Sequence, residues 1–315
     1  MRRHARGVAL IIALVVVALA TVLATRIGAE SALDQRRAAT LLAQEQGFQV
    51  ALGAEAWAIE VLRADFERNN RQVTLDQSWA TPLPPLPIDG GMLTGQLEDL
   101  EGRFNVNNLV SADGTKNLFA FAWFQRLLAQ LQLEPKWASL LLDWIDPDTI
   151  ADGIDGAEDG VYTGFTPPYR PPNRPITSTS ELLALPGFGL ERFRLLAPYI
   201  TALPVGAPLN VCTASGPVLD SLAPSLAAFA ADAKQLATNR QKGCFPALAD
   251  VTAMITPLLK PEEKVAALRL VGESSRYFRG MTIVSIGTTE LTLYSLIERN
   301  PGGYSRVVLR TLGTE

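Results

Sequence analysis

The stretch DWIDPDTIADGIDGAEDGVYTG gathers Asp143, Asp146, Asp148, Asp152, Asp155, Glu158 and Asp159 around several glycines. Oxygen donors with no histidine or cysteine among them select a hard cation, Ca²⁺ ahead of Mg²⁺. The spacing is not that of an EF-hand: after Asp146 and Asp148 the third acidic position and its glycine come too late. Read from the residues alone, the same stretch is also a solvated acidic loop. The cysteines are Cys212 and Cys244. Such a pair suits an oxidising compartment, where a bond closing that loop would contribute roughly 3–4 kcal/mol; two buried thiols are the alternative.

The only histidine is His4, inside a basic N-terminal run. A mature chain without that run has no imidazole, which excludes Ser-His-Asp and Cys-His catalysis and every His-ligated metal site. Gly272-Glu273-Ser274-Ser275-Arg276 begins like a nucleophile elbow but lacks the closing glycine. No phosphate-binding Gly-x4-Gly-Lys loop is present. A carboxylate-dependent periplasmic hydrolase remains as a distant enzymatic alternative, and the chain is read as a non-enzyme. The formal charge is −4, and loss of Arg2, Arg3 and Arg6 would make it about −7. Such a chain tracks phosphates poorly.

These groups must be positioned by the rest of the 315 residues, enough for one large domain or two to three smaller ones. Val8 to Thr25 is a membrane-length apolar run of Ala, Val, Leu and Ile. Ala18-Leu19-Ala20 could mimic a signal-peptidase site, but it lies within the run. Positive charge ahead of the run puts the N-terminus in the cytoplasm. No proline follows until after Asn70, and Leu33, Ala38, Leu41, Leu42, Ala51, Trp57, Ile59 and Leu62 recur at helical intervals. One helix is therefore expected from the membrane into the exported part, with local breaks at Gly47 and Gly53.

SWATPLPPLPIDGG then reads as a proline-rich break, and Leu97, Leu100, Phe104 and Val106 as strand and turn. Leu118 to Ile145 is helical, with Pro135 opening a second helix. Ser178 or Ser180 caps a helix beginning near Glu181. At the C-terminus the period changes to alternation, and three strands are expected: Tyr277–Ile286, Glu290–Arg299 and Tyr304–Thr311.

The Arg-Gly step followed at once by an apolar helix resembles the leader of type IV pilins and type II secretion pseudopilins. That resemblance implies cleavage by prepilin peptidase between Gly7 and Val8 and N-methylation of Val8. Pilins carry glutamate at the fifth mature position; here it is Ile12. The missing acid, the segment Asp99, Gly102, Arg103, Phe104, Asn105, Asn107 and Leu109, and the DWIDPD…GAEDG stretch together resemble the minor pseudopilin K family of type II secretion. A membrane-buried glutamate is costly unless paired, and a subunit with none above it has no partner to offer. Ile12 thus suits the tip.

The resemblance implies an α+β, type IV pilin-like fold, its long N-terminal helix packed on an antiparallel sheet, with a large inserted α-helical domain of sterile-alpha-motif-like units. The expected divisions are 1–7 leader, 8–27 transmembrane segment, 28–107 remaining pilin helix and first strands, 108–270 inserted helical domain, and 271–315 C-terminal strands. It implies Ca²⁺ in the inserted domain, with Asp146, Asp148, Glu158 and Asp159 ahead of Asp152 and Asp155 as ligands. It implies minor pseudopilins I and J as partners, with H and the major pseudopilin G as further contacts, besides the prepilin peptidase and the inner-membrane platform. The expected place is the bacterial inner membrane, single-pass, with the bulk in the periplasm. Asn105 and Asn107 are expected to be turn formers with local backbone bonds. Leu185-Pro186-Gly187-Phe188-Gly189 and the Leu209-Asn210…Thr213-Ala214 stretch also match helix–hairpin–helix modules, so a DNA-binding minor pilin is the alternative. With only Arg192 and Arg194 close by, the reading is that no nucleic acid is bound.

Overall fold

The computed structural model describes residues 5–68 and 72–313. Helix α1 runs unbroken from Ala5 to Arg68, about 96 Å at the standard rise. Met1 to His4 lie outside the described residues. Of the expected leader boundary, Gly7 falls inside the helix and Val8 is exposed. The segment from Val8 is long and apolar enough to cross a membrane, and none of its most apolar window is buried in the protein.

The breaks expected at Gly47 and Gly53 do not occur. A glycine costs a helix about 1 kcal/mol in propensity, too little to break one this long, and at Gly47 packing offsets it. A Cβ on Gly47 would meet Val284, Leu291 and Ile286 at ordinary contact distances, so this turn lies flat on the sheet. Gly47, Ala51, Glu55, Leu62 and Asp65 form the buried stripe. Leu33, Leu41, Leu42 and Trp57, expected on that stripe, are exposed.

The sheet has five strands. Those before the insertion are β1 (Leu83–Ile88) and β2 (Gly91–Asp99). Between them and the C-terminal strands lie four short ones: β3 (Phe104–Asn105), β4 (Ile200–Thr201), β5 (Leu209–Asn210) and β6 (Val271–Gly272). The C-terminal strands are β7 (Tyr277–Ile286), β8 (Thr289–Arg299) and β9 (Ser305–Leu312), within two residues of the expected limits. The order is β1-β2-β7-β8-β9, with every pairing antiparallel. The proline-rich break is thus a strand instead. Proline cannot donate to a ladder, which is tolerable only at an edge, and β1 is an edge.

Between β2 and β7 the chain builds a separate helical block. Its helices are α2 (Leu118–Gln130), α3 (Trp137–Ile145), α4 (Asp159–Tyr162), α5 (Gly189–Leu196), α6 (Gly216–Asp220), α7 (Ala233–Arg240), α8 (Leu248–Ile255) and α9 (Pro261–Arg269). The segment capped by Ser178 is a 3-10 turn over Thr179–Ala184, closed by a capping box with Glu181. One continuous apolar core runs through the block from Phe104 to Val271. Two short parallel pairs, β3 with β4 and β5 with β6, fasten its start and end.

Candidate functional site

Asp143 lies in the last turn of α3, Asp146 directly follows that helix, and Glu158 directly precedes α4. The loop between them folds back so that one carboxylate oxygen from each lies within 4.8 Å of the other two. Asp143 holds the loop in place: its carboxylate accepts from the amides of Asp152 at 3.0 Å and Ala157 at 2.7 Å. Gly156 permits this approach, because a Cβ there would come 2.3 Å from Asp143 Oδ2.

The electrostatics leave this group short of positive charge. Burial first, and neighbouring carboxylates second, push Asp143 up to about 6, and Asp146 and Glu158 up to about 7. Asp146 is 7% exposed, and its Oδ1 has no hydrogen-bond partner, nor has either oxygen of Glu158. The buried Tyr162 hydroxyl is also unpartnered, and burial pushes it up from its ordinary value. Buried polar atoms left unpaired are costly. A hard divalent cation would satisfy these oxygens, so the donor set fits Ca²⁺.

Of the residues singled out from the sequence, Asp146 and Glu158 come together, joined by Asp143. The family resemblance favours Asp148 and Asp159 over Asp143, which it leaves among the other acids of the stretch. Asp148 is exposed, and its carboxylate accepts from the Ile150 amide at 2.7 Å. Asp159 faces Arg170 at 3.1 Å. Asp152 pairs with Lys116 at 2.7 Å and Asp155 is exposed.

With Ca²⁺ at a hundred times its Kd, the melting midpoint should rise by the equivalent of about 2.7 kcal/mol. Chelator should reverse the gain and Asp146→Asn should abolish it. The raised carboxylates hold protons that a cation must displace, so the gain should grow from about pH 5 to about pH 8. A calcium-dependent shift that is flat over that range would count against these three carboxylates as the ligands.

The GRFN segment serves a different end. Phe104 is fully buried, with ring centroids 4.8 Å from Trp123 and 5.1 Å from Phe124. A Cβ on Gly102 would come 2.9 Å from Thr213 Oγ1. Arg103 shares Glu98 with Arg279. Asn105 and Asn107 are more than local turn formers. Asn107 donates to Ile176 O and Leu203 O and accepts from the Ile176 amide. Asn105 accepts from the Leu203 amide at 3.0 Å and donates to Pro204 O.

Beneath the segment lies a buried junction. Asp99 accepts from Asn210, Thr213 and Ser275 at 2.9, 2.6 and 2.6 Å. Glu101 accepts from the amides of Arg276 and Tyr277, where the chain re-enters the sheet. Ser274, at the nucleophile position of the elbow-like motif, is exposed, while its neighbour Ser275 is buried in this network. Arg192, the cation beside the hairpin, donates to Gly187 O and Phe188 O of that turn. The sulfurs of Cys212 and Cys244 are bonded.

A long N-terminal helix laid on an antiparallel sheet, with its apolar N-terminal segment projecting beyond, defines a pilin-like protein. The same fold, at TM-score 0.71 and 23% identity, occurs in a chain of the GspK-GspI-GspJ complex from the enterotoxigenic Escherichia coli type 2 secretion system. The match covers 89% of this chain and all of that one. Residues 102–205 match the family model described as type II secretion system (T2SS), protein K. The type II secretion system protein K of Pseudomonas aeruginosa is 35% identical over 99% of this chain and 94% of that relative. That of Aeromonas hydrophila is 33% identical over 98% and 97%. The chain belongs to the type II secretion system protein K family, the minor pseudopilins.

Proposed function

We propose that this minor pseudopilin sits at the tip of the type II secretion pseudopilus, initiating and capping its assembly and supporting export of folded proteins across the outer membrane. The position of the helical block carries the reading. It joins the sheet at the Asp99–Phe278 end, beside the C-terminal part of α1, whereas the membrane-length segment lies at the other end of that helix. A bulky block there obstructs a further subunit above. Ile12, in place of a carboxylate, agrees with a subunit that has no neighbour on that side.

The partners in this reading are minor pseudopilins I and J, packed helix to helix, with H and the major pseudopilin G lower in the filament. The block is read as sterile-alpha-motif-like units steadied by Ca²⁺ at Asp143, Asp146 and Glu158. The bulk of the chain is periplasmic and anchored by one span. Light scattering of the three chains mixed should give a 1:1:1 complex. If this chain stays monomeric with both partners, or polymerises without them, the tip role fails.

Prepilin peptidase is expected to cut between Gly7 and Val8 and to leave Val8 methylated. Intact mass after co-expression reads this directly, and retention of Met1 or processing near Ala20 would overturn it.

A further inference from the structure

The two edges of the sheet are unlike. β1 carries Pro84, Pro85 and Pro87 and is irregular between Leu83 and Leu86. A run of prolines stops an edge from templating another strand. β9 has no proline, and among the described residues no strand pairs with its outer side. It exposes Val308, Leu309 and Leu312. Its one irregularity is a bulge opposite Leu296 and Ile297.

The charge of β9 narrows what can bind. The strand contains Arg306 and Arg310 and no acid, on a chain whose net charge is −4. Both guanidiniums hold carboxylates of the chain itself, Glu298 and Glu55, yet their side chains remain 79% and 48% exposed. Through the bulge they stand on opposite faces: Arg310 reaches Glu55 of α1, and Arg306 reaches Glu298 on the other side.

We propose that β9 is an interaction edge that takes an extended acidic segment of another protein as a sixth strand. Main-chain bonds supply the affinity, the exposed aliphatics pack against alternate side chains, and acids opposite Arg306 or Arg310 set the choice of partner. This contact is separate from helix-to-helix packing along α1, so it stands or falls independently of the tip role.

The test uses the full chain in detergent micelles with capped octapeptides alternating valine and glutamate. Versions with lysine for glutamate, or with proline at every second valine, serve as comparisons. Either register sets glutamates against one of the two arginines. Hydrogen exchange read by mass spectrometry should show the acidic peptide protecting 305–312, less so as salt rises, and neither comparison peptide doing so. Arg306→Glu should weaken the protection roughly fivefold. Val308→Lys should strengthen it, which separates an electrostatic effect from loss of fold. Binding indifferent to peptide charge, protection confined to α1, or no protection of β9 at millimolar peptide would each overturn the proposal. So would self-association through β9 without peptide.

Discussion

Replacing Asp99 with alanine should cost about 5 kcal/mol and loosen the helical block from the sheet. Asp99 is fully buried at the end of β2, where burial pushes its carboxyl up and bonds from Ser275, Thr213 and Asn210 pull it back. Those partners lie 111 to 176 positions away and belong to the block or to the segment returning from it. The substitution leaves the Glu101 amide without its acceptor. It also strips Arg299 of a nearby negative charge. Each orphaned buried donor costs about 1–3 kcal/mol, and breaking a buried charge arrangement about 3–5. Tryptophan-monitored unfolding of the full chain should give the loss. In a double-mutant cycle with Thr213→Val, the two effects should fail to add. A cost under about 1 kcal/mol, or simple additivity, would reduce Asp99 to a passive filler.

Glu101 should make the protein less stable as pH rises. Burial first, then the Asp99 charge, push its carboxyl up to about 8 from an ordinary 4.5. A carboxyl raised in the folded state binds its proton more tightly there than in the unfolded chain. Below about pH 4.5 both states are protonated and no penalty exists. Between about 4.5 and 8 the unfolded chain ionises freely while the folded one resists, so stability falls. Above about 8 both are ionised and the loss levels off. The full span is on the order of 5 kcal/mol. Glu101→Gln keeps an acceptor for the amides of Arg276 and Tyr277, and it should flatten this stretch of the curve and gain most over wild type near pH 9. Parallel wild-type and variant curves would place the pH dependence in other groups, the raised carboxylates of the acidic loop among them.

These two residues also mark where the sequence stopped being informative. Period and propensity are local, so the C-terminal strands could be read off the alternating segment, and the anchor off an uninterrupted apolar run. The acidic loop was visible as composition. Asp143 was among its acids, but its place in the site depends on the turn that brings Ala157 and Glu158 back over the end of α3. β1 was hidden because LPPLPI contradicts strand chemistry everywhere except at an edge, and edge status is a property of the finished sheet. Gly47 looked like a helix break, but Val284, Ile286 and Leu291 lie against it. The asparagines of the GRFN segment looked like turn formers because their acceptors near Ile176 and Leu203 lie far along the chain.

The insertion between neighbouring strands also sets the order in which this molecule can be completed. Gly91–Asp99 must find Phe278–Ile286, so the middle of the sheet cannot close until nearly the whole polypeptide has been made. Chains emerge N-terminus first and fold domain by domain. The helical block, with a core of its own, can form while the apolar stripe of α1 still waits for β7 and β8. Joining ends so far apart slows folding, and a preformed block shortens the effective loop. The last forty or so residues therefore act as a closing clasp. A product truncated before them would carry an intact block on a naked helix, and its uncovered stripe would mark it for degradation or aggregation.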